Sequence, residues 1–381
     1  MKILTVAGEF SGDAHGGEIL VHLKKILPDL EITGIGGDTM VAAGMKMLLH
    51  ISQLQARGLL EVVRHLPKHF RLLKDLDRLL DRERPDALLL IDYPGFNLRL
   101  ARVAKRKGIP VLYYSSPQLW AWRGGRMRMV QRWVDRIIVL FPFEETLYTS
   151  VGVDAVFLGH PLVGVEADAK SVQALRKKLG NAKKEPIIAV MPGSRPSELE
   201  RNFPSMLQSI ALIRESGFKG RFVVPLAPTL TVDRAKRHME KTGIEIEILE
   251  DAFLPLLKVA DFGLVASGTA TLQVGMAGIP FIVVYRVSQF TYRVAKWFAY
   301  IKHISIVNIL AGREIVPELL QHKFTPERLC EIFLRIVNNE KRLQEMKKDL
   351  KAVKDSLGKP GAYKRAADEI AKFLKNLGAK K

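Results

Sequence analysis

A single cysteine, Cys330, stands among 381 residues, so an internal disulfide, a Cys-rich zinc site and an iron–sulfur cluster are all excluded. Its setting, LCEIFL, reads as a helical core thiol, and the scarcity of cysteine fits a reducing cytoplasm. No run approaches the ~18 apolar residues of a membrane span; the longest candidates, 137–141 and 279–284, are strand-sized. The opening MKILTVAGEF is broken by Glu9 and reads as a first strand rather than a secretion signal. Low-complexity tracts and short repeats are missing too. So are His-Glu-x-x-His, a nucleophile elbow, the dinucleotide fingerprint G-x-G-x-x-G and the Walker pattern. With nine scattered histidines and no dense Asp cluster, no metal site is expected.

What is present describes a folded chain of two or three domains, 48% hydrophobic and 26% charged. Fifty-nine Lys/Arg against 40 Asp/Glu give a net charge of +19, which calls for anionic partners: nucleic acid, anionic lipid or a phosphorylated substrate. Part of that charge lies in the last 41 residues, where 13 Lys/Arg face 5 Asp/Glu on solvated helices.

Short apolar runs at 3–7, 87–91, 111–115, 137–140, 187–191, 222–226, 262–266 and 281–285 alternate with longer segments of helical period. Continuous rather than alternating apolar character suits strands buried on both faces, so the chain reads as α/β, doubly wound, twice. A Gly/Pro-rich seam at 159–171 separates an N-terminal domain, 1–165, from a second, 166–345, and basic helices, 346–381, complete the chain. Two such Rossmann-like lobes are expected to face a cleft, with ligands at the carboxyl ends of strands.

The loops after the strands therefore carry the chemistry. After the first comes GEFSGDAHGGE (8–18), with Glu9, Ser11, Gly12 and Asp13 at a helix mouth; it is a close-approach binding loop or a capped turn. His15 reads as a helix-start residue. Asp92, at the end of ALLLI and before a Pro-Gly turn, is placed to accept a proton as general base or to cap the next helix. In the second lobe, Gly193, Ser194 and Arg195 open a turn whose helix start suits phosphate oxygens; the competing reading is a cap in which Ser197 and Glu200 form a capping box. Ser267, Gly268 and Thr269 make a similar anion nest, and two such turns suit a pyrophosphate. Gln273, one turn on, is placed for sugar hydroxyls.

Between 115 and 136, Trp120, Trp122 and Trp133 interleave with Arg123, Arg126, Arg128, Arg132 and Arg136. Stacking on nucleic acid, a grip on a sugar phosphate, a membrane interface and a solvated basic helix all fit this pattern.

The blocks GEFSGD (8–13), IDYPGFN (91–97), SPQLWAWR (116–123), GHPL (159–162), PGSRPSE (192–198), ASGTATLQ (266–273) and NILAGREIVPELLQ (308–321) resemble, in identity and order, those of the bacterial lipid-A-disaccharide synthase family. The resemblance implies a GT-B-type fold and an inverting hexosyl transfer without metal or cofactor. The donor would be UDP-2,3-diacylglucosamine and the acceptor 2,3-diacylglucosamine 1-phosphate, giving a β-1',6-linked disaccharide 1-phosphate and UDP. It also implies an acceptor-binding first domain with Glu9, Ser11, Gly12, Asp13, Trp122, Arg123 and Arg126. The second domain would bind the donor through Gly193, Ser194, Arg195, Ser267, Gly268, Thr269, Gln273 and Asn308. Asp92, Arg195 and Asp13 would be catalytic. Such a protein would sit on the cytoplasmic face of the inner membrane of a Gram-negative-type bacterium, as a monomer or homodimer, with no part for nucleic acid. The stretch 57–80 is the candidate for membrane docking and acyl contact; its competing reading is a surface helix pair broken at Pro67.

Two departures limit the resemblance: Gly95 stands where family members often carry a second Asp, and Gln273 where Glu is common. The alternatives are a UDP-sugar transferase with another lipid or cell-wall acceptor and, from a different class, a non-catalytic nucleic-acid-binding protein using the Trp/Arg segment.

Overall fold

The computed structural model describes residues 1–54, 59–115, 125–180, 185–288 and 302–379, with backbone alone for 59–67 and 125. The chain divides into two units, Met1–Val163 together with Gly358–Lys381, and Gly164–Leu357.

Among the described residues the first unit holds seven strands: β1 (Lys2–Ala7), β2 (Glu31–Gly36), β3 (Lys46–His50), β4 (Ala87–Ile91), β5 (Val111–Tyr114), β6 (Arg136–Val139) and β7 (Ala155–Phe157). All pair in parallel, in the order β3-β2-β1-β4-β5-β6-β7. Its connecting helices are α1 (Phe10–Ile26), α2 (Asp38–Ala42), α3 (Leu59–Glu83), α4 (Pro94–Arg106), α5 (Gly125–Trp133) and α6 (Pro142–Thr149). Every residue of β4 is buried because both faces of the sheet are covered. Leu76 and Leu80 of α3, Leu98 and Leu100 of α4 and Val130 of α5 pack on one face. Ile19, Leu20 and Leu23 of α1 pack on the other, beside Ala366, Ile370 and Leu374 of the last helix, Ala362–Gly378. The 57–80 stretch enters a single helix at Leu59 that continues through Pro67, so it is not a pair broken there.

The second unit has β8 (Ile187–Met191), β9 (Arg221–Leu226), β10 (Glu247–Glu250), β11 (Phe262–Ala266), β12 (Phe281–Tyr285) and β13 (Glu318–Leu320), again parallel, in the order β10-β9-β8-β11-β12-β13. Its helices are α7 (Ala169–Lys178), α8 (Pro196–Glu215), α9 (Val232–Thr242), α10 (Phe253–Leu256), α11 (Thr269–Met276), α12 (Ile306–Ala311), α13 (Pro326–Val337) and α14 (Glu340–Ser356); the last helix of the chain is α15. Phe333 of α13 packs edge-on to Phe262 and Phe218, with ring centroids 5.3 and 5.0 Å apart. Cys330, on the same helix, is buried. On the opposite face α11 comes so close to α12 that a Cβ on Gly275 would lie 2.7 Å from Val307. Among the described residues no helix is long and apolar enough to cross a membrane.

In each sheet the chain winds outward from one central pair of strands. That pair is β1 and β4 in the first unit and β8 and β11 in the second, and the carboxyl ends of such a pair open on a crevice. The loops GEFSGD and DYPGFN leave β1 and β4; PGSRPSE and SGTATLQ leave β8 and β11.

Candidate active site

Asp92 follows β4 in the left-handed region, with φ +48°, and Tyr93 repeats it at +51°. Two successive non-glycine residues of this kind are costly and persist only where neighbours over-determine them. Here the Asp92 N–H donates to Tyr114 O (3.0 Å), and the Asp92 carbonyl accepts from Tyr113 Oη (2.5 Å) and Asn97 Nδ2 (2.8 Å). Asn97 is fully buried and also reaches the carbonyl of Val6, tying the ends of β1 and β4 together. The Asp92 carboxyl is half-buried. Burial pushes its pKa up, against the opposing pull of the Tyr93 N–H and the Ser11 hydroxyl that donate to it.

Glycine at position 8 lets the Tyr93 ring lie across the first loop, since a Cβ there would stand 2.1 Å from the ring. The Tyr93 hydroxyl bonds His69 Nε2 on α3. Glu9 and Ser11 are exposed, while Gly12 is buried against Ile91.

Asp13 is engaged elsewhere. Its Oδ1 accepts from the N–H groups of Gly37 (2.6 Å) and Met40 (3.1 Å), and its Oδ2 from the N–H of Thr39 (3.2 Å) and the Thr39 hydroxyl. A carboxylate with four donors caps the start of α2 and has no lone pair to spare for a substrate proton. Arg126 is exposed on α5; Trp122 and Arg123 lie outside the described residues, with the rest of 116–124.

In the second unit, the N-terminal cap of α8 is made by Glu198, not by Ser197 with Glu200 as the sequence suggested. Its Oε2 accepts from the N–H groups of Ser194 (2.9 Å) and Arg195 (3.2 Å). A hydroxyl at 197 is already inside the helix and cannot reach back to these donors. Gly193, at φ +123°, makes the turn, and a Cβ there would lie 2.5 Å from that of Glu198. The Arg195 side chain is 77% exposed, 3.5 Å from Glu198 Oε1, and stays available to an anion. Ser267 donates its N–H to Val284 O (3.1 Å), Gly268 and Thr269 are exposed, and the first turn of α11 has no side-chain cap. Gln273 is half-buried one turn on.

Asn308, expected among the donor-binding residues, has its side-chain amide committed within the protein. It is fully buried; its Nδ2 donates to Val316 O and Glu318 Oε1, both at 2.8 Å, and its Oδ1 accepts from Ile315 N (2.8 Å) and Val316 N (3.0 Å). Glu318 in turn accepts from the N–H groups of Ile304 and Ser305, ahead of α12. The block 308–321 is thus a structural knot, as the Asp13 cap is.

The model of the family described as lipid-A-disaccharide synthetase matches residues 3–373. The chain belongs to the lipid-A-disaccharide synthase family. It is 38% identical over 373 residues to the lipid-A-disaccharide synthase of Myxococcus xanthus, covering 98% of this chain and 97% of that one. It is 40% identical over 372 residues to that of Anaeromyxobacter dehalogenans, covering 97% and 96%. Among solved structures, a UDP-GlcNAc 2-epimerase from Neisseria meningitidis bound to UDP-GlcNAc matches with a TM-score of 0.63 at 14% identity, over 98% of this chain and 100% of that one. A calicheamicin glycosyltransferase matches at 0.60 and 15%, over 98% of each. The two parallel-sheet, Rossmann-like units are those of a GT-B-type fold. Family membership leaves the nucleic-acid alternative without support.

Sequence reading missed Glu198, Asn97 and Tyr93. Glu198 carried a signal, a Glu three residues after the N-cap of a Pro-initiated helix; the others work through partners far along the chain.

Proposed function

We propose that the chain transfers 2,3-diacylglucosamine from UDP-2,3-diacylglucosamine to 2,3-diacylglucosamine 1-phosphate, with Asp92 as general base. The observation that carries the choice of base is the contrast between two carboxylates. Asp92 stands at the carboxyl end of β4 with burial favouring its protonated form, whereas all of Asp13's acceptor capacity is used by the start of α2. The Asp92 carboxylate takes the proton of the acceptor's 6-hydroxyl as that oxygen attacks the anomeric carbon. The bond from that carbon to the β-phosphate oxygen breaks, the configuration inverts, and UDP leaves with the electron pair. Arg195 and the uncapped first turn of α11 stabilise the charge that grows on the departing diphosphate, while Gln273 hydrogen-bonds sugar or ribose hydroxyls.

Both substrates are anionic lipids, which suits a chain of net charge +19 working at the cytoplasmic face of an anionic membrane, with the 57–80 stretch as its docking element. Purified protein mixed with the two lipids in detergent, followed by mass spectrometry, should yield disaccharide 1-phosphate and UDP in equal amounts. Arg195→Ala should lower turnover by ~10² or more, as expected for one well-placed transition-state donor. UDP binding without product would redirect the search to another acceptor. Near-normal turnover in folded Asp92→Asn would remove Asp92 from the mechanism.

A further inference from the structure

Arg286, the residue after β12, is half-buried and pairs with no carboxylate among the described residues. Its Nη1 donates to Ser205 Oγ (3.0 Å), its Nη2 to the carbonyl of Phe324, and its guanidinium carbon lies 5.0 Å from the Phe324 ring centroid. Those partners are neutral, so its charge is held in place without being cancelled. Through its backbone, the same residue is two hydrogen bonds from the donor turn: Arg286 N–H donates to Asn202 Oδ1 (3.0 Å), and Asn202 Nδ2 donates to the carbonyl of Pro192 (2.9 Å), next to Gly193. Because Asn202 lies on α8, that bond holds the end of β12 against the helix whose first turn carries Glu198.

A partly buried guanidinium is expensive to keep unless an opposite charge meets it. Hydrogen bonds to a serine and a carbonyl could be made by an uncharged side chain, and the carboxylate of Glu198, at the start of α8, is committed to the amides of Ser194 and Arg195. An anion bound at this end of the sheet would supply that counter-charge.

We propose that Arg286 is a positioning residue for the donor, bracing the Pro192–Arg195 turn through Asn202 and supplying fixed positive charge behind it that raises affinity for the diphosphate of UDP. This rests on the donor reading above and adds to it a residue that need not touch the sugar nucleotide. The charge should matter for UDP and not for uridine, a distinction that a purely structural role would not make.

The test measures UDP binding by calorimetry and uridine binding by ligand-observed NMR, with wild type, Arg286→Lys, Arg286→Gln and Arg286→Met, each checked for folding by circular dichroism. Removing one fixed charge from a partly buried anion site is expected to weaken UDP about tenfold in the Gln and Met variants. Uridine affinity should stay within about twofold of wild type, and Lys should recover most of the loss. Equal losses for UDP and uridine, or unchanged UDP binding in a folded uncharged variant, would overturn the proposal. If Arg286→Met does not fold, Arg286→Gln decides on the same criteria. Wild-type protein that binds no UDP would instead defeat the donor reading itself, an outcome visible before any variant is compared.

Discussion

Acid should unsettle the first unit through His160, and the size of the effect can be worked from its surroundings. His160 is 6% exposed, its Nδ1 accepts from Leu162 N–H (3.1 Å), and its ring stacks on Phe141 at 5.1 Å. Burial, with a smaller contribution from neighbouring His15, lowers its pKa from 6.5 to about 4. His15 is lowered as well, by burial. The folded state thus prefers the neutral ring. Its contribution is fully present above the unfolded value of 6.5 and is lost as pH falls toward 4. The full difference is worth ~3 kcal/mol, of which ~2 kcal/mol has gone by pH 5.

His160→Asn keeps an acceptor near Nδ1 and removes the titration. Losing the ring's packing should cost the variant ~1–2 kcal/mol at pH 7. Urea unfolding followed by tryptophan fluorescence reports on the first unit through Trp133, which packs on its core. Wild type should lose stability faster than the variant between pH 7 and pH 5, so that the two converge or cross. Parallel curves, with the same wild-type advantage at both values, would refute the linkage argument. That result would mean His160 is protonated in the folded state with an alternative partner.

Because burial raises the Asp92 pKa, the acid limb of kcat/KM should lie above that of an unperturbed aspartate; Asp92→Asn should remove that limb and lower turnover by ~10²–10⁴. The same raised value means that folding favours the protonated form, a contribution present below the unfolded pKa and lost as pH rises through the folded one. Asp92→Asn should therefore melt no lower than wild type at pH 7.5; a drop of several degrees would contradict the assigned direction. Asn308→Ala removes four buried hydrogen bonds and should cost ~2–4 kcal/mol by denaturant titration, while the folded fraction keeps wild-type UDP affinity. At Gly95 a Cβ meets nothing within 4 Å, in a first turn of α4 that has no acid. Gly95→Asp should stabilise by ~0.5–1 kcal/mol and leave turnover within about twofold; a rise above tenfold would mean that a second acid contributes to chemistry here.

The central strands were legible because burial on both faces writes itself as unbroken apolar runs, as in ALLLI and FGLVA. β2, β3, β7, β10 and β13 were not: EITGIG carries two glycines, and β3 is largely exposed. Asp92 could be found as a candidate because its position at a strand's carboxyl end is a local fact. What local sequence cannot show is whether a carboxylate is already spoken for. Asp13 is occupied by residues 24 to 27 positions away and Asn308 by residues 7 to 10 away, and both read as ligand-binding until those partners are placed. Arg286 escaped for the same reason, since Ser205 is 81 residues distant.

The first unit is built from both ends of the described chain: Tyr363 Oη hydrogen-bonds His15 Nδ1 at 2.8 Å across 348 positions, and α15 lies beside α1. During synthesis, the whole of 164–357 emerges before the helix that completes the face carrying α1. The second unit can therefore close while the face of the first unit that carries α1 still lacks its last helix. The half of the protein made first is the half finished last, so a chain released early would fail first at α1, the helix that opens with the GEFSGD loop.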